Sequence, residues 1–133
     1  MIDVEPEVFT EAKAAVTARF PEMTMESVTT HSPSRFPFTE LEQTDSYPLR
    51  STRDSADNEN HAVVVFEGNV YSNKTNGKKK EAKAVMAVLD EAMCRMGFTR
   101  LTMIPFAYDN GSKYRLFARW SAVADKNKTI YRR

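Results

Sequence analysis

Phe9, Ala12, Val16 and Phe20 recur at three- and four-residue intervals and predict a helix with one apolar face. Pro6 suits its first turn, where a missing N–H costs nothing, and Glu5 and Glu7 sit near its positive end. Pro21 stops it. The period then shortens. Met23, Met25 and Ser27 alternate with Thr24, Glu26 and Val28, which predicts a half-buried strand over Met23–Thr29. His31–Pro37 (HSPSRFP) carries two prolines and two serines and reads as a turn. Phe38 and Glu40 oppose Thr39, Leu41 and Gln43 in a second strand, Phe38–Thr44. Ser46–Asn60 is polar, contains Pro48 and has no period. A loop of this length inside a compact domain is usually functional or disordered.

The clearest strand is His61–Ser72. Val64, Phe66, Gly68 and Val70 share one face; Val63, Val65, Glu67, Asn69 and Tyr71 share the other. Both faces are apolar at Ala62–Phe66, which predicts a central strand covered on both sides. Gly68 signals a bulge or a close approach. A basic turn, Asn73–Lys80, leads into a helix, Glu81–Met96. Its stripe of Val85, Leu89, Ala92 and Met96 is widened by Met86, Val88 and Met93, and Gly97 caps it. Phe98–Phe106 is the next strand. Tyr108–Lys113 contains Asp-Asn-Gly, a hairpin turn, and Tyr114–Val123 is the return strand. On that strand Leu116, Ala118, Trp120 and Ala122 face one way, and Arg115, Phe117, Arg119, Ser121 and Val123 the other. The polar, basic tail Ala124–Arg133 is expected to be extended. This order predicts an α+β fold over a single domain, residues 1–133. A single, mostly antiparallel β-sheet carries two α-helices packed on one face.

Composition agrees. The chain has 133 residues, 41% apolar and 28% charged, which suits one globular domain with one core. No run approaches the ~20 apolar residues of a membrane helix. The first residues lack a basic, then apolar, secretory pattern, so no membrane partner is expected. One cysteine, Cys94, cannot form an internal disulfide, which fits synthesis in a reducing cytosol. Beside Met93 and Met96 it reads as a buried small hydrophobe. The net charge of +1 hides a split. Residues 1–60 hold 12 acids and 5 bases; residues 61–133 hold 6 acids and 14 bases. Either the halves attract one another within one domain, or an acidic face meets a basic face on the next copy. A contact of the second kind closes into a ring when its rotation permits.

The residues of chemistry are sparse. His31 and His61 have no HxxxH or CxxC spacing for zinc, and neither a P-loop nor a GxGxxG is present. His61-Ala62-Val63 is not the HxE of a zinc deaminase. Glu81-Ala82-Lys83 has the ExK form of metal-dependent nucleases but opens a helix instead of lying on a strand. No metal or other cofactor is expected. Lys74, Lys78, Lys79, Lys80 and Lys83 form one dense basic patch: a solvated turn, an inter-subunit contact, or a surface beside passing DNA. No aromatics are interleaved to stack single-stranded bases.

The block NHAVVVFEGNVYSNKTNGKKKEAKAVMAVLDEAMCRMGFTRLTMIP, with the terminal TIYRR, resembles the minor structural proteins at the head–tail junction of tailed bacteriophages. The likeness is strongest to the tail terminator (tail completion) group and runs over nearly the whole chain. It rests on element order and on phrases such as ENHAVVVFEGNVYSN and GKKKEAKAVMAVLDEAM, not on a chemical motif. The resemblance implies a virion structural protein without enzymatic activity, made in the cytoplasm of a bacterial host. Such proteins form a ring, commonly a hexamer, at the head-proximal end of the tail. The ring ends tube growth and joins the tail to the head. The implied partners are further copies of itself, the tail-tube protein, the head–tail connector protein, and genomic DNA passing through the lumen without sequence-specific binding. No catalytic residue carries over. Interface positions are chosen on chemistry: Arg50, Arg53, Asp54 and Asp57 in the long loop, Lys74, Lys78, Lys79 and Lys80 in the basic turn, and Ile130, Tyr131, Arg132 and Arg133 in the tail. Two other readings stay open. One is a head-completion or head–tail joining ring of the same particle. The other, of a different class, is a small nucleic-acid-binding protein or endonuclease using Asp45, Glu67 and the lysines.

Overall fold

The computed structural model describes residues 2–27, 36–48, 61–108 and 113–131. The elements are α1 (Glu5–Arg19), β1 (Thr24–Glu26), β2 (Phe38–Pro48), β3 (His61–Ser72), α2 (Lys78–Arg95), β4 (Thr99–Tyr108), β5 (Lys113–Asp125) and β6 (Ile130–Tyr131). They form one sheet of order β1-β2-β3-β5-β4, with β6 also on β5. Only β1–β2 is parallel; the other pairs are antiparallel. β6 pairs Val123 and Ala124, just past the Thr99–Ser121 pair where β4 begins, so it prolongs the β4 lane. The architecture is the expected α+β fold, a mainly antiparallel sheet with two helices on one face.

Period-2 and period-3.6 patterns meet in one core. Val64, Phe66 and Val70 of β3 and Leu116, Ala118 and Trp120 of β5 are buried against Val85, Met86, Leu89 and Met93 of α2. From α1 the buried stripe is Val8, Ala12 and Val16. Phe9, expected in that stripe, is half-buried at its margin, with the Lys13 ammonium 5.8 Å from its ring centre. Gly68 marks a close approach: a Cβ there would lie 2.9 Å from Trp120 Cζ3. The bulge of this strand pair lies instead on β2, between Gln43 and Asp45. Gly97, at φ 109°, ends α2 in a Schellman turn. Gly97 N–H donates to the Cys94 carbonyl (3.1 Å) and Phe98 N–H to that of Met93 (3.0 Å).

Several expectations need correction. β2 runs to Pro48, so Ser46–Pro48 belong to a strand and not to the long loop. Its outer half is held by polar bonds to the N-terminal segment, which hydropathy cannot register. Gln43 Nε2 and Ser46 Oγ both donate to the Ile2 carbonyl, at 3.2 and 2.9 Å. Residues 49–60, with Arg50, Arg53, Asp54 and Asp57, lie outside the described residues, as do 28–35 (including His31), 109–112, Arg132 and Arg133. α2 begins at Lys78, so Lys78, Lys79 and Lys80 form its first turn instead of a preceding loop. Three cations there oppose the helix dipole; Glu81 offsets part of that, and accepts the Ser72 hydroxyl at 2.6 Å. β3 is central but not covered on both sides: Val63 and Val65 are only half-buried. Cys94 is exposed, because it lies off the buried stripe of α2. The C-terminal segment is not an extended arm. β5 continues through Asp125, and Ile130–Tyr131 returns onto it.

Candidate assembly surface

Strand register decides what the helix-free face of the sheet presents. Phe38, Tyr71, Arg115 and Phe106 lie in one row, and Glu40, Asn69, Phe117 and Ile104 in the next. Tyr47, Val63, Val123 and Tyr131 form a row near the other end. The first two rows are cross-linked by polar bonds. Glu40 Oε1 accepts from Asn69 Nδ2 (2.9 Å) and from the Tyr71 hydroxyl (3.1 Å). Asn69 Oδ1 accepts from Arg115 Nε at 2.7 Å. The Arg115 guanidinium lies 5.1 Å from the Phe106 ring centre and 5.9 Å from that of Tyr71, a cation–π arrangement. One row further, Arg119 donates to Glu67 Oε2 through both Nε (2.9 Å) and Nη2 (2.6 Å). This face is amphipathic and carries no helix among the described residues, while Phe38, Glu40, Asn69 and Tyr71 on it are buried.

The large apolar side chains left in solvent gather here. Tyr47, Ile104, Phe106 and Tyr131 all fall on the helix-free face by register and are 42–48% exposed. Leu101, at the β4 bulge, is 54% exposed. Three of these, Leu101, Ile104 and Phe106, line β4, one edge of the sheet. Sequence reasoning did not single them out. The available signal was that Met103, Ile104 and Phe106 put apolar groups on both faces of one strand.

The charge split of the sequence is also a split in space. Residues 2–27 and 36–48, which build α1, β1 and β2, hold nine acids and two bases. Residues 74–108 and 113–131, which build α2, β4, β5 and β6, hold four acids and twelve bases. The first set forms one side of the sheet and the second the other. They meet at Lys128 Nζ and Glu7 Oε1, 3.0 Å apart. That hydrogen bond, first among several causes, holds the Glu7 carboxyl below its usual range.

The C-terminal return is a small polar latch. Asp125 Oδ1 accepts the Asn127 and Thr129 N–H groups, both at 2.9 Å, while Lys128 turns the chain at φ 66°. Asp125 Oδ2 accepts the Tyr131 hydroxyl at 3.1 Å, and that oxygen lies 2.9 Å from His61 Nε2. Ile130 packs against the core. Of the tail residues proposed to meet a partner, Ile130 and Tyr131 are thus folded onto their own sheet, with Tyr131 keeping an exposed side. The Asp125 carboxyl is held below its usual range, chiefly by the Thr129 N–H; burial opposes this, and Tyr131, Asn127 and His61 add to it. A depressed carboxyl contributes stability above the unfolded value, about 3.9, and loses it as pH falls through the lower folded value. Amide protection at Asn127 and Thr129 is therefore expected to fall, relative to the middle of β5, as pH is lowered below about 4. Hydrogen exchange checks this; unchanged relative protection would contradict it.

Of the residues of the nuclease reading, Asp45 and Glu67 are diagonal neighbours on adjacent strands, but the lysines lie apart from them. Glu67 is engaged by Arg119, and Asp45 sits on β2 opposite Val65. Lys78–Lys80 begin beyond Ser72, five strand residues from Glu67, a span of about 16 Å. Among the described residues no group of three or more His, Cys, Asp or Glu could hold a metal ion. No helix among them is long and apolar enough to cross a membrane. Cys94, although exposed, is a poor nucleophile: burial of its sulfur and the Asp90 carboxylate, 3.8 Å away, raise the thiol above its usual range. Alkylation of the native protein near pH 8 is expected to go to completion, but more slowly than for a free thiol. Replacing Asp90 by asparagine should speed it, and a rate matching free cysteine in the parent protein would contradict the assignment.

No family model and no curated protein matches the sequence. The fold does have counterparts among solved structures. One is a chain from a structure described as the virion of a native gene transfer agent (GTA) particle. It superposes with a TM-score of 0.63, covering 87% of this chain and 90% of that one, at 16% identity. At that identity the likeness is one of fold, and it extends over nearly the whole of both chains.

Proposed function

We propose that the protein is a virion structural protein that forms a ring at the head-proximal end of a phage-type tail, ends tube growth and joins the tail to the head connector. The carrying observation is the mutual coverage of 87% and 90% with a chain of a gene transfer agent virion. A match confined to one domain of a larger enzyme would leave much of the other chain uncovered. The resemblance of its sequence phrases to the tail terminator group supports the same reading from the sequence side. So does the surface: exposed apolar residues on the β4 edge and opposite charges on the two sides of the sheet suit assembly better than turnover. Lys74, Lys78, Lys79 and Lys80, together with the 49–60 segment, are assigned to contacts with neighbours or with passing DNA.

The test is deletion of the gene in cells that produce the particle. The expected result is tails of unregulated length and heads without tails, both restored by supplying the protein in trans. Normal tails on unjoined heads would instead place the protein in a head-completion ring. Fully assembled particles of normal tail length would overturn the proposal.

A further inference from the structure

The two edges of the sheet are unlike. β4 is ten residues long, and its outer side has no strand neighbour among the described residues. Ile104 and Phe106 are exposed on its helix-free side. On its helix side an open groove runs between β4 and α2, with Ala87, Met103 and Leu116 as apolar lining and charges of both signs at its rim, Lys83 and Arg100 beside Asp90 and Glu91, Arg100 being paired with Asp90 at 2.9 Å. An edge of this length with apolar groups on both sides invites pairing. Pro105 has no N–H to donate, which interrupts any backbone ladder on this edge at that position.

The opposite edge is short and acidic. β1 has three residues, Thr24–Glu26, and follows a half-buried Phe20, with Pro21, Glu22 and Glu26 exposed. Part of β2 beyond β1 is already blocked: the Gln43 N–H donates to Glu5 Oε1 at 3.1 Å, and Gln43 Oε1 accepts the Val4 N–H at 3.0 Å. β1 runs with β2, and β4 runs against both. Copies sharing one strand axis would thus set β4 of one antiparallel to β1 of the next.

We infer that copies of this chain join head to tail, the β4 edge of one copy seating on the β1–α1 edge of the next. This rests on the proposed ring and names its faces. The occupant is a second copy because the complement lies on the same chain: nine acids against two bases on one side, four against twelve on the other. Within one molecule Lys128–Glu7 joins the two sides, but the sheet holds β1 and β4 at opposite edges. Between molecules those edges meet. A contact of two unlike patches is heterologous, and forms the proposed ring when its rotation closes. Individual exposed ion pairs are weak and salt-screened, so the apolar β4 residues supply the bulk of the contact and the charges set its orientation.

The experiment uses two variants of the full chain: Ile104→Asp with Phe106→Asp on the β4 edge, and Glu22→Lys with Glu26→Lys on the β1 edge. Circular dichroism checks folding. If the first pair unfolds, Leu101→Glu with Lys83→Glu replaces it on the same edge. Native mass spectrometry at low salt is expected to show a ring for the parent and monomers for either variant alone. Mixed one to one, the variants retain one good contact between them and should give a dimer of about twice 15.2 kDa and nothing larger. A parent that stays monomeric at its highest soluble concentration overturns the inference, as do variants that each still form the ring, or a mixture without a dimer. A monomeric parent leaves the virion reading to the deletion assay, so the two failures are separable.

Discussion

Replacing Trp120 by alanine is expected to lower stability by about 3–5 kcal/mol, enough to unfold much of the population in a domain of ordinary stability. Trp120 is fully buried at the centre of β5, between β3 and β4. Its ring covers Gly68, and its Nε1–H donates to Asp90 Oδ1 at 2.8 Å. Alanine removes the ring and leaves a cavity that the sheet cannot close without moving α2. Phenylalanine keeps a ring in the core but gives up the N–H bond, which should cost roughly 1–3 kcal/mol, together with the outer ring atoms that lie over Gly68. Chemical denaturation followed by circular dichroism reads both. An alanine variant within about 1 kcal/mol of the parent would show that the ring is not the keystone of the core.

Gly68→Val is the second large effect, expected at about 3 kcal/mol, near the top of the usual range for overpacking. A Cβ at Gly68 would stand 2.9 Å from Trp120 Cζ3, 3.2 Å from Cη2 and 3.4 Å from Leu89 Cδ2. These are rigid ring atoms and a packed leucine, so nothing yields cheaply. Because the clash is with Trp120, the two substitutions should not be additive. Valine at 68 should recover stability when Trp120 is also Phe, and double-mutant coupling measures this. Independent effects of the two substitutions would contradict the packing described.

Much of the fold was legible in the sequence wherever side-chain period and burial coincide. His61–Ser72 kept its predicted bounds, and Leu116, Ala118, Trp120 and Ala122 all face the core. Errors occurred where order comes from something other than hydrophobicity. The outer half of β2 is held by Gln43 and Ser46 bonding to Ile2 and Val4, so its polar run looked like a loop. Three successive lysines disguised the start of α2, since their charge disfavours a helix N-terminus that the rest of the helix imposes. Ile130 and Tyr131 were too short a pair to announce a strand, and depend on Asp125 and His61 for their place. The candidate assembly surface was half legible. The acidic and basic halves could be counted along the chain; that they lie at opposite edges follows only from strand order, which pairwise packing sets.

The most direct test of the central claim is electron microscopy of purified particles carrying a tagged form of this protein. The tag is predicted to appear as a single focus at the head-proximal end of the tail, with density of a closed ring. Absence of the protein from purified particles, or label spread along the tail tube or over the head shell, would contradict the account.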